Sequence, residues 1–185
     1  MPMTGASART EEQQQEPSLV LVGLMGAGKS TVGRRLAQRL RRRFVDADDE
    51  IERAAGMPIP EIFEKFGEAH FRDGERRVLA RLLDQDGLVI ATGGGAFMHP
   101  DTRKLIHDRA RSVWLKADLD TLVRRCARRA DRPLLKGGDA RATLGRLMEE
   151  RYPVYAEADV VVESGGDAHD VVVDRILKAI GANPG

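Results

Sequence analysis

The sequence predicts an α/β fold: a five-stranded parallel sheet with helices on both faces. Three observations predict it. Five short apolar runs recur along the chain, helical periods lie between them, and a glycine-rich segment follows the first run. The runs are Leu19-Val20-Leu21-Val22, Phe44-Val45, Leu88-Val89-Ile90-Ala91, Val113-Trp114-Leu115 and Val160-Val161-Val162. They are short and largely β-branched, as suits strands buried on both faces. Between them Val32, Leu36 and Leu40 recur at helical spacing. Val78, Leu79, Leu82 and Leu83 form a second stripe, and Val173, Ile176, Leu177 and Ile180 a third. Strands alternating with such stripes make a parallel sheet, because each crossover carries a helix onto a face. Ligands of these sheets sit beyond the carboxyl ends of the strands, so chemistry is sought there.

The chain has 185 residues, a length that suits one domain. Residues 1–17, with Glu11-Glu12-Gln13-Gln14-Gln15-Glu16-Pro17, have no apolar period and read as a disordered polar tail. Residues 18–182 read as a single domain. Lys and Arg number 30 against 29 Asp and Glu, so the net charge is +1, and aromatics make up 4%. Such a chain lacks the basic balance and interleaved aromatics of a nucleic-acid binder. No apolar run reaches the roughly 18 residues of a membrane span, and no apolar signal-peptide core opens the chain. The expectation is a soluble cytoplasmic protein. One cysteine, Cys126, makes no internal disulfide. It and the four histidines, which lack metal-ligand spacing, receive no role.

Gly23-Leu24-Met25-Gly26-Ala27-Gly28-Lys29-Ser30 matches the P-loop pattern G-x-x-x-x-G-K-[ST] between a predicted strand and a predicted helix. Glycines let backbone N–H groups of Gly26, Ala27 and Gly28 curl around phosphate oxygens, and the helix start adds its positive end. Lys29 is expected to reach the β- and γ-phosphates, Ser30 to place its hydroxyl on Mg²⁺, and Thr31 to touch the α-phosphate. The motif binds a nucleoside triphosphate without naming the acceptor.

Five further places carry candidate chemistry. Asp46 and Asp48 end the second run; two apart in extended chain, they would face the same side. They could hold Mg²⁺, directly or through water, and an acceptor hydroxyl. The competing reading is that Asp48 caps the following helix, a role that does not require Asp46. Arg72 and Glu75 lie i, i+3 at the opening of a long helical stretch, so that Glu75 could orient the guanidinium toward a ligand carboxylate. Taken alone, the pair reads as a surface ion pair. Gly93-Gly94-Gly95 follows the third run and allows a ligand close to backbone N–H groups. After the arginines 124, 125, 128 and 129, the loop around Arg132-Pro133-Leu134-Leu135 and Gly137-Gly138, about 131–141, reads as a lid. Arg132 could act there as an arginine finger in cis. Arg151 is a second candidate carboxylate clamp, with surface charge as the alternative.

The ordered set resembles the shikimate kinase family. It consists of Gly23–Thr31, Asp46-Ala47-Asp48 with Ile51-Glu52, Gly67-Glu68 leading to Phe71-Arg72 and Glu75, Gly93-Gly94-Gly95-Ala96, Arg132-Pro133-Leu134-Leu135, and Arg151-Tyr152-Pro153-Val154-Tyr155. The resemblance runs from about Leu19 to about Ile180. It implies a nucleoside-monophosphate-kinase-like fold, a substrate segment at about 47–76, and transfer of the ATP γ-phosphoryl to the 3-hydroxyl of shikimate in aromatic amino-acid biosynthesis. It further implies one Mg²⁺ per subunit on Ser30 and Asp46, Arg125 near the adenine, and catalytic Lys29, Asp48 and Arg132. Arg72 and Arg151 would bind the substrate carboxylate, and Asp48 with Gly93, Gly94 and Gly95 its ring hydroxyls. The expected partners are shikimate and ATP alone, on a monomer. The competing readings are another small-molecule P-loop kinase, acting on gluconate or a nucleoside monophosphate, and a non-catalytic nucleotide-switched binding module.

Overall fold

The computed structural model describes residues 16–128 and 139–182. Each of the five apolar runs forms a strand: β1 (Ser18–Val22), β2 (Phe44–Asp46), β3 (Val89–Ala91), β4 (Ala110–Lys116) and β5 (Val160–Glu163). All pair in parallel, in the order β2-β3-β1-β4-β5. The central strands β1 and β3 are buried along their whole length, while edge strand β5 alternates buried and exposed residues. This matches the continuous apolar character of the first runs, since a strand covered on both faces has no polar side to display.

Among the described residues seven α-helices accompany the strands: α1 (Lys29–Leu40), α2 (Ala47–Ala55), α3 (Ile59–Leu83), α4 (Pro100–Arg109), α5 (Leu119–Ala127), α6 (Ala140–Tyr155) and α7 (His169–Ile180). Right-handed crossovers put leftward and rightward connections on opposite faces. The link from β1 to β2 and the link from β3 to β4 run in opposite directions across the strand order. Helix α1 therefore lies on one face, beside α7, and α4 on the other, beside α3. The three predicted stripes point inward. Val32 and Leu36, then Val78, Leu79, Leu82 and Leu83, then Val173, Ile176 and Leu177 are all buried. Among the described residues no helix is long and apolar enough to cross a membrane.

Opposed connections make the carboxyl ends of β1 and β3 the switch point of the sheet, where a crevice opens. The two glycine-bearing loops leave from these ends. Thr92 ties them together: its backbone N–H and its Oγ1 both donate to Leu21 O, at 3.2 and 2.9 Å.

Helix α3 departs from the expected pattern. It starts at Ile59, well before Phe71, and holds a non-helical residue, Gly67, at φ 81° and ψ 174°. Two helical pieces meet at that kink, and the second carries Arg72 and Glu75. A left-handed φ followed by an extended ψ is cheap only for glycine, so Gly67 sets the angle at which the second piece enters the sheet.

At the opposite end of the sheet, buried Ser18 bridges two segments. Its hydroxyl donates to Gln85 O at 3.0 Å and accepts from Leu88 N at 3.0 Å. Ser18→Ala strands both backbone groups, so it is expected to destabilise the fold by about 1–3 kcal/mol. A melting temperature within a degree of the parent would show that water replaces the hydroxyl freely.

Candidate active site

A cleft of about 700 Å³ opens at the carboxyl edge of the sheet. Its first wall is the loop between β1 and α1. Gly28 is the residue before the helix and adopts φ 95°, and Gly26 adopts φ 84°. Both values are strained for any residue with a side chain, so the glycines of the motif are what let the loop curl. Lys29 folds back along this loop, its Nζ donating to Gly23 O at 2.6 Å and Leu24 O at 3.1 Å. Arg125 of α5 braces the loop from outside, with Nη1 donating to Gly26 O and Ala27 O and Nη2 to Ser164 O at 2.8 Å.

Asp46 and Asp48 both line the cleft, but not through the extended geometry expected of them. The strand ends at Asp46 and the chain turns directly into α2. Asp46, not Asp48, is the cap: its Oδ1 accepts from Asp48 N at 2.9 Å and Asp49 N at 3.4 Å. Its other oxygen, Oδ2, accepts from Ser30 Oγ at 3.0 Å. One carboxylate thus joins the start of α1 to the start of α2. Asp48 sits in the first turn of α2. Burial first, and then the neighbouring Asp46, push its carboxyl up from the ordinary aspartate range to about 6, against the pull of Lys29.

The opposite wall is the turn Gly93-Gly94-Gly95. The expectation was that these glycines make room for a ligand. The structure shows that they first make room for side chains of the site itself. A Cβ on Gly93 would lie 2.9 Å from Asp48 Oδ1, one on Gly94 would lie 2.9 Å from Arg151 Nη1, and one on Gly95 would lie 2.8 Å from the central carbon of the Arg72 guanidinium. Three charged groups from α2, α6 and α3 therefore converge on three consecutive backbone units.

Arg72 and Glu75 are not the surface pair that their spacing alone suggests. Glu75 is only 2% exposed, and its Oε1 accepts from Arg72 Nη1 at 2.9 Å. Burial pushes the Glu75 carboxyl upward, while Arg72 and, more weakly, Arg151 pull it down. Arg151 Nε is buried without a hydrogen-bond partner among the described residues. Ile59, Phe63 and Phe71 give the cleft an apolar side.

The family model for shikimate kinase matches residues 25–181. The chain belongs to the shikimate kinase family. The shikimate kinase of Bradyrhizobium diazoefficiens is 58% identical over 166 residues, covering 90% of this chain and 80% of that protein. That of Rhodopseudomonas palustris is 53% identical over 183 residues, covering 96% and 90%. Among solved structures, the shikimate kinase from Acinetobacter baumannii in complex with shikimate is similar with a TM-score of 0.84 at 42% identity, over 89% of this chain and 93% of that one.

Of the residues singled out from the sequence, Gly26, Gly28, Lys29, Ser30, Thr31, Asp46, Asp48, Arg72, Gly93, Gly94, Gly95, Arg125 and Arg151 all line this one cleft. Ala27 is buried in the loop beneath it. Arg132 and the greater part of the 131–141 segment lie outside the described residues. The sequence reading missed His169, whose ring carbon Cε1 comes 3.6 Å from the Cβ position of Gly28. Burial, then Arg125 and Arg35, lower its pKa. No local signal marks it, because it reaches the P-loop only through the placement of α7. Tyr155 was also passed over, although it stands four residues from Arg151 on α6 and so shares its face.

The Asp48 titration is directly measurable. Carboxyl carbon NMR of the free protein should show a midpoint near 6, moving down in Asp46→Asn because a like charge is removed. A midpoint in the ordinary aspartate range would mean that the cleft is wetter and less charged than described.

Proposed function

We propose that the chain transfers the γ-phosphoryl of ATP to the 3-hydroxyl of shikimate, giving shikimate 3-phosphate and ADP. The observation that carries the reading is the convergence of Arg72, Arg151 and Asp48 on Gly93-Gly94-Gly95, across one cleft from the P-loop. Two guanidiniums offset by a single buried Glu75 leave one positive charge, which suits a monocarboxylate. An acid beside them suits a hydroxyl. A nucleoside monophosphate would need a base-binding pocket in addition, and gluconate, itself a monocarboxylate, is set apart by the family match.

In this reading residues 18–182 act as one kinase domain, with about 47–76 as the substrate segment. Arg72 and Arg151 bind the carboxylate and fix the ring's orientation. Asp48 and the backbone of Gly93, Gly94 and Gly95 hold the ring hydroxyls. At neutral pH Asp48, which titrates near 6, is mostly ionised and accepts the hydrogen bond of the 3-hydroxyl. That bond points an oxygen lone pair toward the nucleotide. Phosphoryl transfer passes through a loose transition state, so positioning and charge neutralisation do most of the work and proton removal comes late. Lys29 leaves the carbonyls of Gly23 and Leu24 to neutralise the phosphoryl oxygens. Arg132 joins it by resemblance to the family, and Gly26, Ala27, Gly28 and Thr31 bind the phosphates. Arg125 lies along the adenine side.

The family works on Mg²⁺-ATP. The residues present fit the ion: Ser30 Oγ and Asp46 Oδ2 stand 3.0 Å apart at the start of α1, both hard oxygen donors. Among the described residues there is no cluster of three or more His, Cys, Asp and Glu able to cage a metal. That also suits Mg²⁺, which binds through one or two side chains, waters and substrate phosphates. Ser30 and Asp46 would hold one ion per chain, Asp46 directly or through water, and the ion would screen the phosphate charge.

Incubation with Mg²⁺-ATP and, separately, shikimate, gluconate, AMP and CMP tests the assignment. Formation of ADP with a phosphorylated acid, seen by mass spectrometry for shikimate alone, is expected. Preferential phosphorylation of gluconate or a nucleotide would contradict it. Nucleotide binding with no acceptor phosphorylated at all would favour a binding module.

A further inference from the structure

The two guanidiniums beside the glycine turn are anchored differently. Arg72 is held by a buried carboxylate, Glu75. Among the described residues no carboxylate is paired with Arg151; the residue beside it is Tyr155, one helical turn along α6 and fully buried at 0% exposure. The Tyr155 hydroxyl donates its proton to Gly94 O. The same hydroxyl and Arg151 Nη1 both crowd Gly94: a Cβ there would lie 3.8 Å from the one and 2.9 Å from the other. A phenol has one proton to donate and lone pairs to accept with. It can therefore serve the turn and the guanidinium together, donating to one and accepting from the other.

The phenol is held firmly from the other side. Its ring packs against Trp114 and Phe97, with centroids at 5.8 and 6.5 Å, and against Tyr152 at 6.2 Å. Tyr152 in turn donates to Ala117 O at the carboxyl end of β4. The end of α6 is thus stapled by two hydroxyls, and of the two it is that of Tyr155 that reaches the glycine turn of the cleft. Burial keeps this phenol above its ordinary pKa, so it stays neutral.

We propose that Tyr155 is a positioning residue of the acceptor site: its hydroxyl holds Arg151 against Gly94 as a neutral anchor, leaving the guanidinium's charge undivided for the substrate carboxylate. A carboxylate in the same place would fix Arg151 equally well but cancel the charge on which the substrate draws. Glu75 already offsets Arg72 and Asp48 stands beside them, so a further acid would set three carboxylates against two guanidiniums in a site that must take an anion. The division of labour is one arginine shared with a carboxylate and one kept whole. The inference rests on the reading of the acceptor as shikimate given above.

Tyr155→Phe tests it, since it removes one oxygen and keeps the ring in its aromatic cluster. The KM for shikimate should rise about tenfold, the usual scale for losing a hydrogen bond to a charged group. The KM for ATP should stay within about twofold. For the methyl ester of shikimate, which has no carboxylate charge, parent and variant should have the same KM. In an Arg151→Lys background the further change Tyr155→Phe should add little, because the hydroxyl acts through the guanidinium.

An unchanged KM for shikimate overturns the proposal. So does an equal loss of affinity for the ester, or a parallel loss for ATP, since either means that the hydroxyl supports the fold rather than the clamp. Full additivity with Arg151→Lys also overturns it. A parent enzyme that does not phosphorylate shikimate would instead refute the acceptor assignment, and the two failures are read from different samples.

Discussion

Three consecutive peptide units without side chains are the constraint on which the acceptor half of this molecule is built. Gly93, Gly94 and Gly95 leave β3 at the switch point of the sheet, and each admits a different charged side chain where a Cβ would stand. Charged groups gathered this closely out of water repel or neutralise one another unless each has a counterpart. The fold supplies the counterparts unequally. Glu75 is buried beneath Arg72, while Arg151 shares Gly94 with the Tyr155 phenol and, among the described residues, leaves Nε without a partner. Asp48 receives no direct ion pair among the described residues and is forced upward in pKa by burial and by Asp46. The outcome is a surface with unspent positive charge beside a carboxylate of near-neutral pKa.

The nucleotide half is built on the neighbouring strand by different means. There Gly26 and Gly28 serve backbone conformation first, although a Cβ on Gly26 would also crowd Cys126 Sγ at 3.0 Å, and Lys29 rests on its own loop's carbonyls. The two halves are joined twice. Thr92 ties the end of β3 to β1, and Asp46 ties α1 to α2 through Ser30 while capping the latter. A shift of either loop is therefore felt by the other, as in-line transfer between two bound molecules requires.

Much of this was legible in the sequence. The strands are short β-branched runs in a sheet covered on both faces, so their composition alone marks them. The P-loop has a spacing that backbone geometry demands. What was not legible follows from three-dimensional placement. Whether Arg72 and Glu75 are a surface pair or a buried one depends on the face of α3 that meets the sheet, which the kink at Gly67 sets. The two aspartates share the cleft because the strand stops at Asp46, two residues sooner than the extended-chain argument assumed. His169 comes to the P-loop only because α7 returns beside α1. Tyr155 could have been found, since the i, i+4 spacing from Arg151 was in plain view. Its neutral chemistry drew no attention in a search for charges.

The most direct test of the account is an experimental structure of the chain with shikimate and a non-hydrolysable ATP analogue. The account expects the carboxylate held between Arg72 and Arg151, with the 3-hydroxyl against Asp48 and facing the terminal phosphate. A carboxylate bound away from both arginines, or a ring turned so that another hydroxyl meets Asp48, would contradict it.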